Sequence, residues 1–333
     1  MNELVFFINK VVISGSVIGS IYALGAIGIT LIFGILRFAH FAHGDLMTVG
    51  AFVALILTGF AASYGIQTPL PLAFVIMPAS MIVTAIIAMG LDRTFYRPLR
   101  VAGAKPVVLV MASIGVTLML QGLIRLFAGT QSRSLYIDER KEIFRIDLGE
   151  DITRNIVITE PQILLVGFTL VTVILLHVFL TRSRMGKAMR AVSDNADLAR
   201  LSGIKIDQVV RTTWIIGGGL AAAAGTLLAL DVVLKPDLSF NILLPIFAAA
   251  IVGGIGQPYG AIAGGFVVGF SETLAIFNWS ILLRPLERAY PQLPDIPASI
   301  AFVPTEYKIV VPFFILVLVL IWRPSGIFKG RVF

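Results

Sequence analysis

The sequence predicts an all-α, polytopic membrane protein with about eight to nine transmembrane helices, some broken or re-entrant, and a small extracytoplasmic insertion. Three observations predict it. Of the 333 residues, 57% are hydrophobic and 14% charged, against about 45–50% and about 25% in soluble domains. Stretches 11–33, 72–91, 163–180 and 309–322 are apolar runs with at most one ionisable residue each, and a span needs roughly 20 such residues. The excess of basic residues that gives the net charge of +7 sits in short stretches between apolar runs. That is a topology signal rather than a nucleic-acid-binding face.

Apolar length places helices near 8–33, 46–62, 72–91, 106–127, 162–180, 210–230, 243–254, 259–277 and 308–322. The first lacks the positive leader of a cleaved signal peptide and should be retained. Stretch 91–106 holds Arg93, Arg97, Arg100 and Lys105 against Asp92, and 181–211 holds seven basic residues against three acidic. Both belong in the cytoplasm. Stretch 127–161, with five basic and seven acidic residues, then lies outside. It is long enough for a β-hairpin around 134–137 and 156–159. Consistency makes 243–277 cross twice, giving nine crossings, an outside N-terminus and a cytoplasmic tail with Arg323, Lys329 and Arg331. Segment 278–307 carries Pro285, Pro291, Pro294, Pro297 and Pro304 and reads as an irregular outer loop, because proline removes a backbone donor and clashes with the preceding turn. No internal repeat and no linker divides the chain, so residues 1–333 form a single domain.

Enzymatic constellations are missing. There are no cysteines and only three histidines, no HExxH, no phosphate-cradling GxxxxGK[ST] loop, and no pair of carboxylates inside one helix. The chain is expected to be a transport subunit without cofactors. If ATP drives it, ATP and magnesium belong to a separate polypeptide.

Four features could carry transport. Stretch 34–45, with Arg37, His40, His43, Gly44 and Asp45, leaves little room for an ordinary loop between two helices. It is either a broken helix lining the path or inner gate, or an interfacial turn meeting headgroups. A second interruption, Gly253, Gly254, Gly256, Pro258 and Gly260, is either a discontinuous helix at the solute path or a cytoplasmic hairpin turn. Glu272 lies deepest among the candidate intramembrane charges Arg125, His177, Asp231 and Glu272. It could meet a cationic amino group or a proton, or be a hydrogen-bonded structural group. Finally, 186–204 forms short helices with Met189, Val192, Ala196 and Ala199 on one stripe and Arg190, Asp194, Asp197 and Arg200 more exposed. It suits docking into a partner's groove or lying on headgroups.

Tyr22-Ala-Leu-Gly-Ala-Ile-Gly28, Phe33-Gly34, Phe41-Ala-His-Gly44 and Gly50-Ala51 resemble the N-terminal signature of branched-chain amino-acid ABC importer permeases. The run from Gly186-Lys187-Ala188-Met189-Arg190-Ala191 to Ala199-Arg200-Leu201-Ser202-Gly203-Ile204 is similar to that family's ATPase-coupling segment. Gly253-Gly254-Ile255-Gly256 and Trp322-Arg-Pro-Ser-Gly-Ile-Phe328 look like its inner turn and its ending. The resemblance covers nearly the whole chain except 127–161 and 278–307; His40 stands where the family more often has Asn. It implies a multi-pass subunit of the bacterial inner membrane that takes branched-chain or other small hydrophobic amino acids, with urea or short amides as the alternative; the rival to the resemblance is an ion-gradient carrier using Glu272 or His177 as a proton site. Implied partners are a second homologous permease, two cytoplasmic ATP-binding subunits, a periplasmic binding protein and membrane lipid. The coupling residues would be Gly186, Lys187, Arg190, Ala191, Asp194, Asn195, Ala199 and Gly203. The path or gate would use His40, His43, Gly44, Asp45, Gly253, Gly254, Gly256 and Glu272.

Overall fold

The computed structural model describes residues 2–137, 139–147, 149, 153–289, 297 and 299–328. Among the described residues, nine apolar helical segments appear where hydropathy places them. Seven are long enough to span a bilayer: α1 Asn2–Leu36, α2 His43–Ser63, α3 Leu72–Val101, α4 Pro106–Ala128, α5 Glu160–Arg182, then α8 Ile206–Asp231 and α10 Pro258–Ile276. Between α5 and α8 lie α6 Arg184–Asp194 and α7 Ala196–Leu201. The other two apolar helices, α9 Phe240–Gly253 and α12 Val310–Trp322, have 14 and 13 residues. At about 1.5 Å per residue they reach only ~20 Å, short of a ~30 Å hydrocarbon layer. The expected crossing at 243–254 is therefore a helix too short to span such a layer by itself.

Helices α1 and α8 are apolar all round and buried, and the others surround them. Backbones approach closely where one partner is glycine. On α10, a Cβ at Gly265 would stand 2.5 Å from the Ala23 nitrogen of α1. On α8, a Cβ at Gly225 would overlap the Met47 carbonyl of α2.

The N-terminus packs on the 127–161 insertion: Asn2 Nδ2 donates to Thr153 Oγ1 at 3.0 Å and Asn9 Nδ2 to the Asn155 carbonyl at 3.0 Å. Both lie on one side, as the charge pattern requires. The insertion does form a hairpin, with a different first strand. β1 Ile143–Ile146 pairs antiparallel with β2 Ile156–Thr159. Segment 134–137 is drawn into the protein instead, because Leu135 is buried and Arg133 bridges to Leu234. At the membrane edge, burial with Glu160, Glu139 and Asp231 nearby holds the Tyr136 phenol well above its ordinary range.

The outer loop 278–307 is less irregular than proline content suggests. A ten-residue helix, α11 Ser280–Ala289, accommodates Pro285. Pro291 and Pro294 lie outside the described residues, as do Lys329 and Arg331 of the tail.

Candidate functional site

Helix α1 ends because Arg37 turns left-handed, with φ of 60°, and its backbone N–H closes on the Phe33 carbonyl at 2.9 Å. Gly34 to Leu36 are still helical, and His43, Gly44 and Asp45 already form the first turn of α2. The break is thus Arg37 to Ala42, narrower than the sequence suggests. It is not an interfacial turn: Phe38, His40, Ala42 and His43 are at most 1% exposed. Non-helical backbone of this kind persists at membrane depth only where protein surrounds it.

Named partners hold the break. His40 Nε2 lies 3.1 Å from the Tyr96 hydroxyl, and the Tyr96 and Trp214 rings stack with centroids 5.4 Å apart. The Phe41 N–H donates to Ser113 Oγ at 3.2 Å. His43 occupies the space left by Gly28, where a Cβ would sit 2.6 Å from Nε2. One turn into α2, Thr48 Oγ1 accepts the Ser239 N–H at 3.3 Å, just before α9 starts, and the Ser239 carbonyl fills the space beside Gly44. Two helix N-termini therefore meet inside the protein, as in discontinuous helices of transporters. Asp45 and Ser239 are buried at this meeting with no side-chain hydrogen bond of normal geometry; Gln121, Thr117 and, beyond them, Arg125 of α4 face the Asp45 carboxylate.

The second interruption lies beside the first. Gly254 and Gly256 adopt φ of 112° and 85°, a turn that a side chain would strain. Gly253 lies directly against Gly260, and Gly256 approaches Gly34 of α1. The C-terminal segment closes over the turn, with the Ile327 N–H donating to the Val252 carbonyl at 2.9 Å and that of Phe328 to Gly253 at 3.1 Å.

Segment 184–201 folds as two capped helices. Ser183 Oγ accepts from the Gly186 N–H at 2.8 Å, and Asn195 Oδ1 from the N–H groups of Asp197 and Leu198 at 3.1 and 3.0 Å. Such caps satisfy the orphan donors of a helix start. Met189, Val192 and Ala199 pack inward while Lys187, Arg190 and Asp194 are exposed. Gly186 has a packing role, since its Cβ would collide with the Phe179 carbonyl and the Leu180 backbone of α5. Gly203 ends α7 with φ of 82°. Leu198 and Leu201, 61% and 85% exposed, were absent from the expected coupling set. Their signal in the sequence was two leucines off the buried stripe.

These three pieces touch. Arg37 Nη2 donates to the Ser193 carbonyl at 2.6 Å, and Thr30, Gly34, Ile35, Met189, Arg190 and Gln257 help line one cavity of about 220 Å³. The structure therefore unites the break, the turn and the exposed helices. Matches to known proteins agree. The model for the permease component of branched-chain amino acid transport systems matches residues 11–320. The chain belongs to this family. It is 31% identical to the high-affinity branched-chain amino acid transport system permease protein BraD of Pseudomonas aeruginosa, covering 98% of this chain and 97% of that one. It is 30% identical to the corresponding permease protein LivH of Escherichia coli over the same shares. The probable branched-chain amino acid transport permease protein LivH of Methanocaldococcus jannaschii is 30% identical over 81% of this chain and 82% of its own. No solved structure matches.

Glu272 does not join this cluster of the permease. It lies fourteen residues beyond Pro258 on α10, about 21 Å along the axis, where its carboxylate accepts from the Tyr22 hydroxyl at 2.7 Å and faces Lys308 Nζ at 3.7 Å. Two of the other intramembrane candidates are also engaged: His177 Nδ1 lies 3.0 Å from the Tyr259 hydroxyl, and Lys141 Nζ donates to the Asp231 carbonyl at 2.8 Å. Glu272→Gln should lower the melting temperature, the loss of a buried charged partner being worth about 1–3 kcal/mol, while uptake continues. Abolished uptake at unchanged stability would put Glu272 in the path instead. Among the described residues, no group of three or more His, Asp or Glu could hold a metal.

Proposed function

We propose that the chain is the membrane-spanning subunit of an ATP-driven importer that carries branched-chain amino acids into the cytoplasm. Its partners in this reading are a second homologous permease, two cytoplasmic ATPases that supply ATP and magnesium chemistry, and a periplasmic binding protein. The carrying observation is the contact of Arg37 with the Ser193 carbonyl, which ties the buried break to the exposed α6–α7 pair. Movement of docked helices reaches the break through that contact. The three relatives above, all named as branched-chain amino acid permeases, favour branched-chain amino acids over urea or short amides.

The solute face in this reading is an apolar crevice of about 510 Å³ lined by Phe41, Val110, Leu244, Phe247 and Ile251 among others. It lies along the break and α9. Branched aliphatic side chains suit such a wall, and the second permease would close it. ATP binding draws the ATPases together, α6 and α7 move with them, and α1, α2 and α9 repack between two discrete arrangements.

The test is purification of the tagged protein from mild detergent, identification of what accompanies it, and reconstitution. Two ATP-binding subunits, a second permease and ATP-dependent leucine uptake are expected. A protein that moves leucine alone, indifferent to nucleotide, overturns the proposal.

A further inference from the structure

A second charged cavity lies on the cytoplasmic side, lined by residues of α3 and α8. It has a volume of about 340 Å³ between the ends of α3 and α8, and its lining includes Asp92, Arg93, Arg97, Arg100, Asp207 and Arg211. Four guanidinium groups face two carboxylates. Arg100 is held by Asp92 through two hydrogen bonds of 2.6 and 3.1 Å, and Arg97 approaches Asp207 at 3.7 Å. Arg93 and Arg211 are exposed and have no side-chain partner among the described residues.

The surface leading to this cavity is apolar. Along α3 the outward stripe reads Val75, Ala79, Ile82, Ile86 and Gly90, and then Arg93 and Arg97. Ile82 and Ile86 are 63% and 58% exposed. Ile215 continues the apolar surface beside Arg211 on α8 and is 45% exposed. From Ile82 to Arg93 is about 16 Å along the helix, comparable to an acyl chain lying beneath its headgroup. An apolar groove that ends in unpaired guanidinium groups at the cytoplasmic boundary matches a phospholipid, with tails on the isoleucines and phosphodiester on the arginines.

We propose that this cavity binds the headgroup of an anionic phospholipid of the cytoplasmic leaflet. The two guanidinium groups in excess supply charge and donors to the phosphodiester. Trp214 also borders the cavity and stacks on Tyr96, which meets His40 of the break. A bound lipid therefore braces the same seam of α3 and α8 that supports the break. The proposal does not depend on which solute is carried.

The test uses the purified full-length protein in mild detergent, with native mass spectrometry to count retained lipid and a melting curve as second readout. Phosphatidylglycerol is expected to be retained over phosphatidylcholine and to raise the melting temperature. Arg93→Gln with Arg211→Gln should weaken retention about thirtyfold, and Arg93→Lys with Arg211→Lys should restore most of it. Equal retention of both lipids, or unchanged phosphatidylglycerol retention in the glutamine variant, overturns the proposal. Equal protection by inorganic phosphate alone identifies a free-anion site and overturns the lipid assignment. If the glutamine variant does not fold, salt decides: phosphatidylglycerol retention by the wild type must fall as ionic strength rises, and salt-independent retention overturns it.

Discussion

Leu198→Glu combined with Leu201→Glu should abolish ATP-dependent uptake while leaving the permease folded in the membrane. The two leucines are the most exposed large apolar side chains between α5 and α8, at 61% and 85%. They stand among Lys187, Arg190, Asp197 and Arg200, all exposed. An apolar pair ringed by charge matches the apolar core and polar rim of an interface, and an unpaired carboxylate introduced there costs about 2 kcal/mol or more per residue. Each substitution would then weaken the ATPase complex roughly thirtyfold. Neither leucine packs inward, so the melting temperature of the permease should barely move. The measurement is recovery of the ATPases with tagged variant and wild type, alongside leucine uptake. Full recovery with normal uptake would remove α7 from the coupling surface. Bulky replacements at Gly186 test something else, because they break the packing of α6 on α5 before any partner is involved.

Gly225→Val should prevent accumulation of folded protein. A Cβ at this position overlaps the carbonyl of Met47, and one turn earlier Gly50 of α2 lies against Ala222 of α8 in return. Backbone faces backbone at this crossing, so no side chain can swing aside. Overpacking of a fitted core costs about 1–3 kcal/mol and more where nothing relaxes. Since α8 is a central helix, the loss falls on the whole bundle. Gly167→Val on α5 is the control, since a Cβ there meets nothing within 4 Å. Yield and melting temperature of the two variants in detergent decide the matter. Similar losses at both positions would mean that β-branching in a helix, and not the α2 crossing, is responsible.

Much of the candidate site was legible before folding was considered. The glycines at 253, 254 and 256, the unusual stretch around His40 and the charged run from Gly186 to Ile204 all broke an otherwise apolar pattern. Interruptions of that kind are conspicuous against a membrane background. Glu272 was conspicuous for the same reason, yet its partners Tyr22 and Lys308 lie 250 residues behind it and 36 residues ahead. Spacing along one chain carries no record of such a pairing. Leu198 and Leu201 were overlooked because a helix of six residues has too few turns for its periodicity to tell the inward face from the outward one.

The sequence by itself determined that this is a multi-pass helical membrane protein, where its helices run, which loops share a side, and to which family it belongs. Those properties follow from local composition: apolar length measures the bilayer, and basic residues mark the side. Only the tertiary structure decided that the break is largely buried from Phe38 to Ala42, that the buried Ser239 ahead of α9 meets Thr48, and that the break, the glycine turn and α6 meet. Those outcomes depend on which helices touch. In lipid, contact is governed by the fit of small residues such as Gly225 and Gly265 against distant backbone, because apolar surface alone does not favour one neighbour over another.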